Sequence, residues 1–224
     1  MDLPQLDGPR HGPQPPEKAA HLVVFLHGLG ADGNDLISLG PMLAPVLPET
    51  AFVSPHAPYP CDMAPTGRQW FSLQDTSTEA MLAGVQAAAP SLNAFLDAEL
   101  AKHGLSDDRM ALVGFSQGTM TAIHVALRRP NPCAVVVGFS GALIKPELLA
   151  TELVSRPPVA LVHGETDPVV PFPAMPMAET ALKTAGVPVA SLARPGLAHG
   201  IDQDGLEFAA AALRQNLVGD SEAG

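Results

Sequence analysis

The chain has 224 residues, of which 46% are hydrophobic and 16% are charged. This balance supplies enough apolar surface to bury about 70 to 75% of the area that the unfolded chain exposes, which excludes intrinsic disorder of the whole chain. Twelve basic residues against 23 acidic ones give a formal net charge of −11, and an acidic surface repels phosphate backbones and anionic lipids. We therefore expect a globular protein that does not bind nucleic acid.

The cysteines and the first residues indicate where the protein works. Cys61 and Cys133 allow at most one disulfide, which a chain of this size does not need. Residues 1–20 are rich in proline and lack the basic and apolar regions of a secretory signal, and no apolar run approaches the about 18 residues that span a bilayer. We expect a cytoplasmic protein without stable membrane insertion. It should form one domain over residues 1–224, with a proline-rich lead at 1–20 and a frayed tail at 218–224.

Short apolar runs rich in β-branched residues recur along the chain, and they are typical of strands buried on both faces. The runs that fit this pattern are His21–Leu26, Ala51–Ser54, Met110–Val113, Ala134–Val137, Val159–Val162 and Val187–Leu192. Most of them are separated by segments long enough for a helix. This alternation predicts an α/β fold with a mostly parallel central sheet flanked by helices.

Three helices are predicted from capping residues and apolar spacing. The first starts at a capping box formed by Thr76 and Glu79, is kinked or divided by Pro90, and stops at Gly104. The other two cover about residues 117–128 and 203–217.

The segment from Met110 to Gly118 combines a buried strand, a G-x-S-x-G motif and the start of a helix. A sharp strand-to-helix turn forces Ser116 into a strained backbone conformation, and Gly114 and Gly118 remove the Cβ atoms that would clash there. The Ser116 hydroxyl is thereby presented outward. The helix that follows directs free N–H groups and its positive dipole end at any oxyanion formed beside it. The motif predicts a nucleophilic serine.

A nucleophilic serine needs a base and a group that orients the base. In hydrolases built on such a turn, the order along the chain is nucleophile, acid, histidine. His199, in a loop bracketed by glycines after the last predicted strand, is the candidate base. We expect His124 to pack on its helix or face solvent, and His163 to make a structural hydrogen bond. Asp167, which precedes a proline and is therefore extended, is the candidate acid, with Glu165 as the alternative.

The glycine-rich segment Gly28–Gly33 follows the first predicted strand and has two interpretations. It matches the G-x-G-x-x-G fingerprint of dinucleotide binding. That fingerprint also requires an acidic residue at the end of the next strand, where this chain has Pro55 and His56. We therefore favour oxyanion stabilisation, in which the backbone N–H groups of Leu29 and Gln117 bracket the developing negative charge.

The remaining motifs carry less information. The segment around Ser140 resembles a second elbow but ends in Ala142, and no separate base can be assigned to it. Asp32 and Asp35 lack the spacing and the terminal glutamate of a calcium loop. The two cysteines are not arranged as a metal pair, so we expect no metal.

Five motifs together resemble the phospholipase/carboxylesterase family of α/β-hydrolases, which includes bacterial carboxylesterases and acyl-protein thioesterases. They are Leu26–Asp35, Gly67–Phe71, Gly114–Gly118, His163–Pro171 and Gly196–Gly200. The resemblance implies an α/β-hydrolase fold without a large lid domain. It also implies hydrolysis of short- to medium-chain acyl esters or thioesters without a cofactor.

Carried over to this chain, the resemblance implies Ser116 as nucleophile, Asp167 as acid and His199 as base, with the Leu29 and Gln117 amides as the oxyanion hole. It further suggests an acyl pocket, and the residues expected to line it are Leu29, Trp70 and Phe71. Some positions depart from the family pattern and leave the chain-length preference open; they are Ser72, Thr119 and Gly200.

We therefore expect a serine carboxylesterase that forms an acyl-enzyme with a small acyl ester. An acyl-protein thioesterase or a lysophospholipase would use the same groups, so these alternatives stay open, as does a homodimer. A non-catalytic α/β-hydrolase domain that binds an acyl ligand or a partner usually lacks a member of the triad, and this chain has all three. A nicotinamide-dependent oxidoreductase would show cofactor binding.

Overall fold

The computed structural model describes residues 3–219. The strands within this range are β1 (Arg10–His11), β2 (His21–Leu26), β3 (Thr50–Val53), β4 (Tyr59–Pro60), β5 (Arg68–Gln69), β6 (Met110–Phe115), β7 (Val135–Phe139), β8 (Val159–Gly164) and β9 (Val189–Arg194). Seven of these strands form one sheet in the order β1-β3-β2-β6-β7-β8-β9, and β4 pairs with β5 separately. The pairings in the large sheet are parallel except the one between β1 and β3. The predicted α/β fold is confirmed.

The central strands are apolar on both faces because helices cover each face. In β2, Leu22 and Val24 face one helical layer, whereas Val23 and Phe25 face the other. Every residue of β2, β7 and β8 is buried. The edge strand β9 pairs on one side and is mostly half-buried. The six strands predicted from apolar runs are all present, with ends that differ by no more than two residues.

The helices of the described chain are α1 (Gly33–Leu36), α2 (Leu39–Leu43), α3 (Thr78–His103), α4 (Gln117–Ala126), α5 (Leu149–Glu152), α6 (Ala174–Thr184) and α7 (Gln203–Leu213). Helices α3 and α4 pack on one face of the sheet through residues such as Leu96 and Ile123. Helices α2 and α7 cover the opposite face through Leu43 and Leu213. The sheet is therefore the middle of three layers.

The carboxyl ends of the parallel strands meet at one edge of the sheet, which is where open α/β sheets bind ligands. The loops after β2, β6, β8 and β9 carry Gly28, Ser116, Asp167 and His199 at this edge. Within residues 3–219, no large lid domain is inserted between the strands. No helix in the same range has both the length and the apolar character needed to span a membrane.

The start and the interior of α3 differ from the prediction. The N-cap of α3 is Ser77, whose hydroxyl accepts the N–H of Ala80 at 3.3 Å, so the capping box at Thr76 is wrong. Pro90 lies inside α3 without dividing it. Both Pro90 and Gln86 are exposed, so water can hydrate the Gln86 carbonyl that the missing proline N–H leaves unpaired.

The helix ends follow the prediction more closely. Gly104 ends α3 as expected, in the left-handed conformation with φ of 67°. Helix α4 ends at Ala126, and α7 passes into a π-helical turn at Arg214–Val218. Val218 therefore belongs to that turn and not to a tail, while residues 220–224 of the predicted tail lie outside the described residues.

Candidate active site

Ser116 occupies a strained turn between β6 and α4. Its backbone has φ of 54° and ψ of −117°, a conformation that non-glycine residues rarely adopt. A Cβ atom on Gly118 would lie 1.8 Å from the Leu26 carbonyl oxygen, and one on Gly114 would lie 2.4 Å from the Thr119 nitrogen. Both flanking glycines are therefore required by close backbone approach, as the motif predicts. The turn has the strained geometry expected of a nucleophile elbow.

Asp167 and His199 are joined by a hydrogen bond across the ends of β8 and β9. His199 Nδ1 donates to Asp167 Oδ2 over 2.7 Å. Because a carboxylate only accepts, the proton of the neutral ring lies on Nδ1, which leaves Nε2 free to act as a base. Burial alone would raise the pKa of Asp167, but this bond and the N–H groups of Val169 and Val170 hold it below its ordinary value. The acid is therefore ionised at neutral pH.

Ser116 and His199 line the same cavity, which has a volume of about 520 Å³. Phe115 packs against the His199 ring with a centroid separation of 4.9 Å. No hydrogen bond joins the Ser116 hydroxyl to the imidazole in the described part of the chain. Bonds of this kind often tighten only when substrate is bound. The structure thus brings Ser116 and His199 to one cavity, and Asp167 reaches this cavity through its bond to His199.

The loop after β2 brings Leu29 to the cavity that the start of α4 also lines. Leu29 and Gln117 both line the cavity together with Ser116. The amide of Gln117 lies in the first turn of α4, where backbone N–H groups have no partner within the helix. Among residues 3–219, the Leu29 amide donates to no backbone carbonyl. Two amides are therefore available to the same region of the cavity.

His27 supports this loop from behind. Its Nε2 accepts the Ala57 N–H at 3.0 Å, and its Nδ1 donates to the Gly28 carbonyl at 2.7 Å. Burial lowers the pKa of His27, so the ring stays neutral, as its accepting Nε2 requires. The side chain is fully buried. The ring therefore fixes the backbone directly before Leu29.

Trp70 and Phe71 do not line the cavity, contrary to the expectation from the resemblance. Both side chains are buried, and the Trp70 indole N–H donates to the His27 carbonyl at 3.0 Å. The Gln117 side chain accepts the Trp70 backbone N–H at 2.9 Å and donates to the Phe71 carbonyl at 2.8 Å. Trp70 therefore supports the loop that carries Leu29, and the Gln117 side chain ties the backbone of Trp70 and Phe71 to the start of α4.

The cavity walls come mostly from residues that sequence reasoning missed. One part of the lining comes from the loop before α3 and its first turn, another from the segment after Asp167, and a third from α4. The residues concerned are Leu73, Thr76, Met81, Met120, Val169, Val170 and Pro171. Only Met120 carried a signal, because it lies one helical turn after Ser116 and so shares a face with it. Apart from His199, no charged or titratable side chain lines the cavity.

The alternative candidates occupy other environments. His124 is buried in α4, and burial followed by the nearby Arg128 lowers its pKa to about 4. Glu165, the alternative acid, is exposed. Ser140 is buried with a left-handed φ of 48°. His163 makes the structural hydrogen bond expected of it, with Nε2 lying 2.8 Å from the Val170 carbonyl oxygen.

The candidate ion ligands have structural roles or lie apart. Asp32 caps α1 by accepting the Asn34 N–H at 2.8 Å. Cys61 and Cys133 are both free thiols. Among residues 3–219, no group of three or more histidine, cysteine or acidic side chains is placed to share a metal ion.

Comparison with known proteins identifies the family. The model of the phospholipase/carboxylesterase family matches residues 13–217. The chain is 30% identical to the esterase YpfH of Escherichia coli (strain K12) over 206 residues, which cover 91% of this chain and 87% of that protein. It is 26% identical to acyl-protein thioesterase 1 of Gibberella zeae over 212 residues, covering 87% of this chain and 90% of the relative.

The solved structures agree. The crystal structure of esterase PE8 superposes with a TM-score of 0.91 at 42% sequence identity, and the match covers 95% of this chain and all of that chain. The glycine-rich loop, which contributes Gly28 and Leu29 to the cavity beside Ser116, fits this family better than a dinucleotide-binding protein. The chain is therefore an ester hydrolase that belongs to the phospholipase/carboxylesterase family of α/β-hydrolases.

Proposed function

We propose that the protein is a serine carboxylesterase that hydrolyses short- to medium-chain carboxylic esters. Ser116 is the nucleophile, His199 the base and Asp167 the acid. The observation that carries this proposal is the 2.7 Å bond between Asp167 and His199 at the cavity that also holds the strained Ser116 turn. A bond of this kind orients a base toward a nucleophile on the far side of its ring.

In the proposed reaction, His199 Nε2 takes the proton of the Ser116 hydroxyl as the oxygen attacks the acyl carbonyl. The ionised Asp167 stabilises the imidazolium that forms. The imidazolium then protonates the leaving alcohol, which departs and leaves an ester between the acyl group and Ser116. A water molecule, activated by His199, cleaves this acyl-enzyme and restores the hydroxyl.

The negative charge that develops on the carbonyl oxygen is accepted by the backbone N–H groups of Leu29 and Gln117. Both residues line the cavity, and their backbones are held by His27 on one side and by α4 on the other. Preorganised donors of this kind each contribute about 3 to 4 kcal/mol to transition-state stabilisation.

The cavity supports a neutral acyl substrate. Its walls are mainly aliphatic and carry two methionines, Met81 and Met120, whose flexible side chains adapt to straight chains. A volume of about 520 Å³ lies in the usual range for small-molecule pockets. The proposal requires no cofactor, no nucleic acid and no further domain, and a cytoplasmic location stays our prediction.

A second candidate is the hydrolysis of thioesters on acylated proteins, because acyl-protein thioesterase 1 is among the relatives. The same three side chains would perform that reaction, and they would also hydrolyse the ester bond of a lysophospholipid. The candidates differ in the leaving group, which the proposed triad does not select.

The test is a set of initial rates on p-nitrophenyl acetate, butyrate, octanoate and palmitate, with Ser116→Ala as the control. We expect a rate that peaks at short or medium chains and falls by up to about 10⁶-fold in the variant. A palmitoyl thioester measured in parallel separates the second candidate. Equal rates for wild type and Ser116→Ala on every substrate would contradict the proposal.

A further inference from the structure

The Asp167 carboxylate lies between two imidazole rings, and only His199 belongs to the proposed triad. Asp167 Oδ1 accepts the N–H groups of Val169 and Val170 at 2.8 and 2.9 Å. Asp167 Oδ2 lies 2.7 Å from His199 Nδ1 and 3.3 Å from His163 Nε2. The Asp167 side chain is fully buried, and that of His163 is 1% exposed. The second ring is therefore an integral part of the acid's surroundings.

The hydrogen on His163 can be placed from its partner. The Nε2 atom lies 2.8 Å from the Val170 carbonyl oxygen, and a carbonyl can only accept, so Nε2 carries a hydrogen. This N–H donates to Val170 and also places its partial positive charge beside Asp167 Oδ2. Val170 is thus held at both of its backbone groups, its N–H by Asp167 and its C=O by His163.

The His163 ring is itself fixed. It belongs to β8, a fully buried strand that pairs on both sides, and it lies four residues before Asp167. Its ring packs edge-on against Phe172, with centroids 6.1 Å apart. Donation from this ring to Val170 therefore ties the turn at 167–170 to the sheet.

We infer that His163 is a positioning residue for the hydrolytic reaction: its Nε2–H holds the Asp167–Val170 turn and keeps Oδ2 directed at His199. This inference rests on the proposed function, because it gives His163 a role in that reaction. His163 is not among the residues that line the large cavity, so it acts on the acid and not on the substrate. Its removal should therefore lower kcat more than it changes KM.

The experiment compares His163→Asn with His163→Gln. The glutamine amide nitrogen lies as many bonds from the backbone as His163 Nε2, so it can still donate to Val170. The asparagine amide is one bond shorter and cannot reach. Both variants are measured on p-nitrophenyl acetate, with active sites counted by fluorophosphonate titration and folding checked by thermal denaturation.

We expect His163→Asn to lower kcat per titrated site by about 10- to 100-fold, the cost of displacing a catalytic group by about 1 Å. KM should change by less than about threefold, and His163→Gln should keep kcat within about fivefold of wild type, because the donor that fixes the acid is retained. The rate of fluorophosphonate labelling should follow the same order: His163→Asn should label more slowly than wild type, and His163→Gln should label at about the wild-type rate.

Equal kcat per site in wild type and folded His163→Asn would overturn the inference, as would a rise in KM alone. An equal loss in both variants would also overturn it, since it would mean that ring packing matters and the N–H does not. If His163→Asn does not fold, a loss beyond about tenfold in folded His163→Gln is enough to reject it. Failure of the proposed function is distinguished beforehand, because wild type would then show no activity that depends on Ser116.

Discussion

Replacement of Gly118 by alanine tests the close approach that shapes the elbow. The added Cβ would lie 1.8 Å from the Leu26 carbonyl oxygen and 2.7 Å from that of His27. The first distance is about 1.7 Å shorter than an ordinary van der Waals contact. Because these are backbone atoms at the end of a buried strand, no side-chain rotation relieves the clash. The start of α4 must therefore move away from β2.

This displacement separates the two amides of the proposed oxyanion hole, which lie on opposite sides of the contact. We expect kcat/KM on p-nitrophenyl butyrate to fall at least about 100-fold, since a shift of about 1 Å at a catalytic group has that effect. Overpacking of the core should also lower the free energy of unfolding by about 1 to 3 kcal/mol. For a chain of this size, that corresponds to a decrease in Tm of about 2 to 12 °C.

Gly200→Ala is the matched control, because it makes the same chemical change next to the proposed base. A Cβ at Gly200 meets no atom within 4 Å, and its φ lies outside the left-handed range. Its activity and Tm should therefore stay close to those of wild type. If Gly118→Ala kept activity within about threefold and Tm within about 1 °C of this control, steric exclusion at the elbow would be refuted.

Two further predictions concern the acid and the pocket. Asp167→Asn should lower kcat by about 10⁴-fold. The Asp167 carboxylate, whose pKa is held below its ordinary value, stabilises the fold above about pH 4. This contribution is lost as the pH falls through the lowered pKa, so the Tm difference between wild type and Asp167→Asn should shrink toward about pH 3. A difference that grows in acid would contradict this. Met81→Trp should fill one wall of the cavity and lower kcat/KM on the octanoate ester by about tenfold or more, since excluding two CH₂ groups costs about 0.8 kcal/mol each. The acetate ester should change by less than about threefold, and an equal loss on both esters would argue against the wall assignment.

The sheet and the positions of the candidate triad could be predicted because both depend on local patterns. Strands buried on both faces are continuous apolar runs, and the carboxyl ends of parallel strands meet at one edge. A serine, an acid and a histidine that each follow a strand are therefore brought to that edge by topology alone. The sharp turn at Ser116 could be predicted because two glycines flank this residue, and each glycine is required by a close contact with the backbone.

The walls of the cavity could not be predicted in this way. Leu73 and Met81 reach the cavity only because α3 begins at Thr78 and packs beside α4, a long-range relationship without a sequence period. Trp70 illustrates the same limit. The segment around it resembles pocket-lining sequence, but a bond from its indole to the His27 carbonyl places the ring behind the loop.

Helix α6 was not predicted from the sequence, because prolines lie on both sides of its first residue. Pro173 is its N-cap and Pro176 lies in its first turn, whereas proline clusters usually indicate loops. In the first turn of a helix, however, the N–H that proline lacks has no acceptor within the helix. The prolines therefore start α6 without a loss of hydrogen bonds, and only Met175, Ala178 and Leu182 reveal its buried face.

The five residues from Asp167 to Pro171 have two tasks, since the first binds His199 and the last three line the cavity. Val169 and Val170 also supply the N–H groups that Asp167 accepts, so a substitution there that shifts the backbone disturbs the acid as well. The part of the lining formed by Leu73, Thr76 and Met81 carries no group of the proposed mechanism. Divergence of substrate preference among descendants of this protein should accordingly accumulate on that side, where natural selection can vary the pocket without impairing turnover.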